Sequence, residues 1–323
     1  MKFGVNLGIL EPVTCGPDNM SRNALWYWES MYKWLSATDF PGFEMTYKPW
    51  DFNLGRSGMP FTRASMETFY GSLKGFREHI GELGIPEIAA LHITAGDVVA
   101  DYQTRSLDES RWLEGLLEFS KEAVDSAAEL GAEGVVVSPV PDFACLKEMG
   151  LFENSSGPER LMEDLTRTVD RMGEIAGQAG IKLAVRNEYW SLLHGDHVDD
   201  LLDAADEKIL YSPDVASLYI SKVDIYEKIR KYKDRLGFVL LNDTFFEDRH
   251  DIYRQPLPEY PQTGAQRVYC MVGDGKVDTT GIVKVLKEVG YEGWAICGSH
   301  EATNVPKAIL NLRWYINYVL KKV

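Results

Sequence analysis

Positive charge is scarce in this chain: 34 Lys and Arg stand against 49 Asp and Glu, a formal charge of −15. Phosphate backbones are held by clustered Lys and Arg that release counterions. A nucleic-acid partner is therefore not expected, and an anionic membrane surface is disfavoured on the same ground. Long apolar runs are also missing. No stretch approaches the ~18 apolar residues that a membrane-crossing helix needs, and the opening segment 1–10, broken by Asn6 and two glycines, is too short for a signal peptide. Cysteine is sparse: Cys15, Cys145, Cys270 and Cys297 are scattered without metal-ligand spacing, which makes a reduced cytoplasm the expected compartment. There is no glycine-rich phosphate-binding turn after the first apolar segment, only Gly8-Ile9-Leu10-Glu11-Pro12.

What is present is an alternation. Eight apolar segments of strand length, at 2–9, 42–47, 86–94, 133–139, 181–187, 208–214, 237–242 and 293–298, are each separated by helix-like sequence. Eight such units predict a closed α/β barrel, (β/α)8, and 323 residues suit one such domain spanning 1–323. An open doubly wound sheet fits the alternation but lacks its phosphate turn. Helical spacing predicts helices over 107–130, 158–179 and 304–320. Two connections that follow strands, 48–64 and 243–276, are longer than a turn requires, and long ordered loops of this kind commonly act as lids.

The segment Ile181-Lys182-Leu183-Ala184-Val185-Arg186-Asn187-Glu188-Tyr189-Trp190 is the most informative. A buried strand here ends abruptly in charge and aromatics, at the end of a barrel strand where active sites are built.

Residues 273–294, from Gly273-Asp274-Gly275-Lys276 through Gly290-Tyr291-Glu292-Gly293-Trp294, resemble the closing βα unit of the xylose-isomerase-like barrels. That family includes sugar isomerases, ketose 3-epimerases, inosose dehydratases and endonuclease IV. Leu130-Gly131-Ala132-Glu133-Gly134-Val135-Val136-Val137 resembles its fourth strand, and Leu210-Tyr211-Ser212-Pro213-Asp214 its sixth. The resemblance implies a divalent metal held by Glu, Asp, His and Glu at the ends of strands five to eight. Those positions fall here on Arg186, Asp214, Leu240 and Gly298, so only the Asp remains. An arginine at one corner places a fixed charge where the cation belongs, and its planar fork can polarise a carbonyl. The expectation is therefore no cofactor. A Mn, Mg or Zn site could be rebuilt only from displaced donors, Glu188 with His300 and Glu301.

The resemblance implies an isomerase, epimerase or lyase that abstracts a proton beside the carbonyl of a sugar, keto-sugar or glycoside. Its expected catalytic groups are Arg186, Asp214, Asp243 and His300, with an Arg186–Asp214 salt bridge as the structural alternative. His92, Glu188, Trp190, Asn242, Arg267 and Glu301 are the expected substrate contacts. Trp50 and Phe245 could add stacking faces. The partner is then a small carbohydrate, with homo- or hetero-oligomers open. The rival reading is a catalytically silent sugar-binding barrel, or the non-catalytic subunit of a heteromer.

Overall fold

The computed structural model describes residues 1–10, 24–49, 59–153, 157–255, 259, 268–299, 302 and 304–323. Eight parallel strands form one sheet: β1 (Lys2–Asn6), β2 (Gly42–Thr46), β3 (Glu87–Thr94), β4 (Gly134–Ser138), β5 (Lys182–Arg186), β6 (Leu210–Ser212), β7 (Val239–Leu241) and β8 (Trp294–Cys297). They neighbour one another in sequence order, with β1 beside β8 and β8 beside β7. Single bridges Tyr211–Leu236 and Asp214–Leu240 join the β6 and β7 sides, so the sheet curls into a barrel. All eight strands lie inside the expected segments. They are shorter, because the polar ends of those segments belong to the turns that leave the sheet.

Continuous burial explains their composition. A parallel strand covered on both faces reads as an unbroken apolar run, and β4, Gly134-Val135-Val136-Val137-Ser138, is buried throughout. The expected helix 107–130 is Trp112–Leu130, preceded by a 3-10 turn at Glu109–Arg111 and stopped by Gly131 at φ 67°. The helices Gly157–Gln178 and Val305–Tyr318 match the other two expectations closely.

The barrel interior is layered. Trp294 and Phe238 plug the N-terminal end, and a Cβ on Gly134 would lie 2.5 Å from the Phe238 ring, which explains a glycine at that point. Ala90, Val136, Ala184, Leu240 and Ile296 form the apolar layer with them. Side chains alternate along a strand with period two, so the next inward positions on β3, β4 and β5 are His92, Ser138 and Arg186. The layer nearest the C-terminal mouth is thus polar, and the chemistry lies there. The long connection after β7 begins as a two-residue antiparallel ladder, Asp243–Thr244 with Tyr269–Cys270.

Candidate active site at the barrel mouth

Arg186, 2% exposed, extends from the end of β5 across the barrel to Glu44 on β2, which is fully buried. Nη1 donates to Glu44 Oε1 at 2.8 Å and Nη2 to Oε2 at 2.7 Å, a fork-to-fork pair. Nε and Nη2 also donate to Ser212 Oγ, at 3.2 and 2.9 Å. Asn6 Nδ2 donates to Glu44 Oε1 at 2.7 Å. Burial acts to raise the Glu44 pKa, but the guanidinium, with smaller help from His92 and Asn6, outweighs it and holds the carboxyl below its usual range. The structural alternative of an Arg186–Asp214 salt bridge is thereby set aside: Asp214 lies within electrostatic reach, but Glu44 takes the fork. Sequence reasoning missed Glu44. Its signal was a lone carboxylate within the apolar run of β2, since buried charges are paired.

Two residues past Arg186, Glu188 is also buried, yet it has the opposite character. Ser138 Oγ donates to its Oε1 at 2.8 Å, and His92 Nε2 lies 2.9 Å from the same hydroxyl. With the imidazole proton on Nε2, His92, Ser138 and Glu188 form one donor chain across the ends of β3, β4 and β5. Burial pushes the Glu188 carboxyl up to about 8; Ser138 opposes that shift, the Asp214 charge adds to it and Arg186 opposes it. Glu188 is therefore mostly protonated at neutral pH.

Asp214 follows β6 and caps the short helix Val215–Ile220, accepting the Ser217 N–H at 2.9 Å. Burial raises its pKa too, against the Ser217 N–H and Arg186. Asn187 ties β5 to β6 here: its Oδ1 accepts the Asp214 N–H at 3.0 Å and the Tyr211 hydroxyl at 2.9 Å. Asn242 Oδ1 accepts the Ala216 N–H at 3.0 Å, and its side-chain amide favours the ionised form of Asp214.

Asp243 does not join this group as a free acid. Its carboxylate accepts N–H bonds from Thr244, Gly273, Gly275 and Val277 at 2.8–3.0 Å, folding the loop 273–277 around itself. A Cβ on Gly275 would lie 2.1 Å from Asp243 Oδ1, so the glycine is what lets the backbone approach. The geometry thus supports a loop-organising role for Asp243 in place of the catalytic one expected of it. Arg267, His300, Glu301 and Trp50 lie outside the described residues. Phe245 is exposed.

Glu188 opens onto a cavity of about 260 Å³ lined also by Trp190, Tyr253, Thr94, Val140 and Pro141. Trp190 is half-buried there, its ring edge-on to Tyr189 at 4.9 Å. Tyr253 stacks on His194 at 4.5 Å and meets Phe143 edge-on. A larger groove of about 650 Å³ between the helices Gly157–Gln178 and His197–Ala204 lies outside the barrel, remote from these groups. The smaller cavity is the better site because the acid is in it. Lys48 Nζ pairs at 2.9 Å with Asp97 Oδ1, whose charge reaches Glu188.

Of the four positions where the family carries metal ligands, Asp214 alone bears a donor. No three His, Cys, Asp or Glu side chains among the described residues converge as a metal would require. The described side chains do not fit the family's divalent ion at that place, where Arg186 and Glu44 instead neutralise each other.

A closed eight-stranded barrel with its polar layer at the strand C-termini defines the class. The chain matches the xylose isomerase-like TIM barrel family over residues 32–318 and belongs to it. It is 27% identical over 194 residues to an inosose dehydratase of Bacillus velezensis, covering 57% of this chain and 62% of that one. It is 28% identical over 140 residues to an inosose dehydratase of Clostridium perfringens, covering 43% and 47%. The chain thus spans about half to three-fifths of the length of these relatives. The probable 3-DHS dehydratase AsbF of Bacillus anthracis superposes with a TM-score of 0.67 at 9% identity, covering 99% of this chain and 100% of that one. The IolI protein with a bound zinc atom superposes with a TM-score of 0.67 at 14% identity, covering 100% and 99%. At these identities the structural likeness is one of fold.

Proposed function

We propose that this chain is an enzyme acting on a small polyhydroxy carbonyl compound, a sugar, keto-sugar, glycoside or cyclic polyol ketone, by moving a proton beside the carbonyl. The observation that carries the reading is Glu188, a buried carboxyl kept protonated by its surroundings and hydrogen-bonded through Ser138 to His92 in an aromatic-walled cavity. Carboxyls tuned toward the working pH are the groups that serve acid–base catalysis. The relatives named inosose dehydratase support the substrate class.

In this mechanism Glu188 donates its proton to a substrate oxygen, either the carbonyl oxygen that becomes an enediol or the hydroxyl that leaves as water. The resulting carboxylate then takes the next proton. Ser138 and His92 hold the carboxyl in place and supply a path for the proton's return. Asp214, the second buried carboxyl of the mouth, lies within electrostatic reach of Glu188 and serves as the partner acid or base. Trp190 and Tyr253 offer flat faces to the apolar side of a ring. Arg186 takes a different part from the one expected of it. With its fork held by Glu44 and its Nε by Ser212, it orders the floor of the mouth and sets its field, and the oxyanion is met by the neutral carboxyl of Glu188.

The test is a screen of ketoses, aldoses and inososes in heavy water, following deuterium uptake at carbon and loss of water by NMR. Exchange or dehydration with at least one compound is expected, and Glu188→Gln should slow it ~10²-fold or more. A second reading, a binding barrel without catalysis, draws support from the three replaced ligand positions. It would take precedence if the protein bound such a compound tightly with no exchange at any pH between 6 and 9.

A further inference from the structure

Five of the seven large hydrophobic side chains exposed among the described residues lie on two helices, Leu25–Ala37 and Val305–Tyr318, which pack side by side. On the second helix Leu310, Trp314 and Tyr318 recur every four residues on the outward face. Trp314 is 58% exposed, Tyr318 is 57% exposed, and their rings stack at 5.9 Å. The first helix adds Trp26, 63% exposed, and Trp34. Scattered apolar side chains on a surface are ordinary, but a contiguous aromatic face marks a contact site. Tryptophan, tyrosine and arginine are the residues that anchor protein interfaces.

The charge around this face departs from that of the whole molecule. Residues 302–323 contain Lys307, Arg313, Lys321 and Lys322 and no Asp or Glu, in a chain of net charge −15. The first helix contributes Lys33, while its one carboxylate, Glu29, is turned inward to the Tyr70 hydroxyl and His79. Lys322 lies over the Tyr318 ring of this face, and Arg313, next to Trp314 in sequence, is held over the buried Phe40 ring. Complementary potential sets which partner docks.

We infer that the face formed by Leu25–Ala37 and Val305–Tyr318 docks a protein partner with an acidic rim around an apolar centre. Two copies placed face to face would bring like charges together. A copy would have to offer an acidic surface elsewhere on the barrel, and such a head-to-tail contact builds rings or filaments rather than a discrete complex. An anionic bilayer would attract the rim but repel the remaining surface of this acidic chain.

The probe is a synthetic amphipathic helix with Leu and Trp along one face and Glu on its flanks, titrated by fluorescence anisotropy against the full chain. Saturable binding is expected, weakened at least tenfold in 0.5 M salt. It should be weakened tenfold or more by Trp314→Ala and by Arg313→Glu, with circular dichroism unchanged. Absence of saturable binding in low salt, or binding that both substitutions leave intact, would overturn the inference. So would a Trp314-dependent dimer in sedimentation velocity, which assigns the face to a second copy, or Trp314-dependent uptake onto phosphatidylserine vesicles, which assigns it to lipid.

Discussion

Two buried glutamates face the same arginine from different sides of the barrel, and they hold opposite protonation states. Glu44 receives both arms of the Arg186 fork and stays ionised below its usual range. Glu188, just past the end of β5, receives one neutral hydroxyl and is pushed up to about 8 by burial. Depth is common to both, so depth does not decide the charge. The partner decides it, because a neighbouring cation offsets the desolvation that a serine cannot. The consequence is a division of labour in which the Glu44 side is a fixed structural charge and the Glu188 side keeps a transferable proton.

The sharpest way to break this comparison is to remove the proton. Glu188→Gln keeps shape and hydrogen bonding but cannot exchange a proton, so turnover on a substrate found by the heavy-water screen should fall ~10²–10⁴-fold, the usual contribution of a positioned acid–base group. Unchanged turnover in steady-state assays would move the proton to another residue. Arg186→Met attacks the other side. It leaves Glu44 buried and unpaired, and urea unfolding should show a loss of roughly 3–5 kcal/mol, much of it recovered when Glu44→Leu is added. Recovery is the discriminating result, since additive losses would mean that the two side chains do not act as a pair.

A comparable effect follows from linkage. The Glu188 carboxyl has a folded-state pKa of about 8 and an unfolded value of ~4.3. Between those values the native state binds more protons than the unfolded one, so wild-type stability falls as pH rises through that window. Glu188→Gln lacks this penalty. Its stability relative to wild type should climb from pH ~4.3 to pH 8 and level off above, by up to about 5 kcal/mol in all. Thermal melts of both proteins across pH 5–9 measure it, and a constant difference would contradict it. The smallest expected change is in Ser138→Ala. Ser138 favours the ionised form, so its loss should move the pH–rate limb due to Glu188 further upward while turnover drops less than about tenfold.

The fold was legible because its signal is local. Each strand is an apolar run that can be recognised without knowing its neighbour, and Gly131 and Gly180 announce helix ends through left-handed conformations that other residues adopt reluctantly. The site was legible only where one segment carried it: Glu188, Trp190 and Arg186 were visible in a single stretch at the end of a strand. Which residues they would meet was not. Glu44 lies 142 positions from Arg186, and only barrel closure makes them neighbours. Asp243 looked like an acid at a strand end, as Asp214 did, and no spacing distinguishes a carboxylate that folds a loop from one that faces a cavity. The four N–H groups that hold Asp243 come from its own position plus 1, 30, 32 and 34. Tertiary structure alone reveals that saturation.

The protonation state of Glu188 is what the account turns on, and it can be observed without any substrate. With 13C-carboxyl-labelled glutamate, the resonance absent from Glu188→Gln identifies the group, and its chemical shift is followed from pH 4 to pH 10. A single titration with a midpoint near pH 8, beside a Glu44 resonance that titrates below the usual glutamate range, is the predicted result. A Glu188 midpoint between pH 4 and pH 5 would contradict the account, because the carboxyl would then be an ordinary anion with no proton to give at neutral pH.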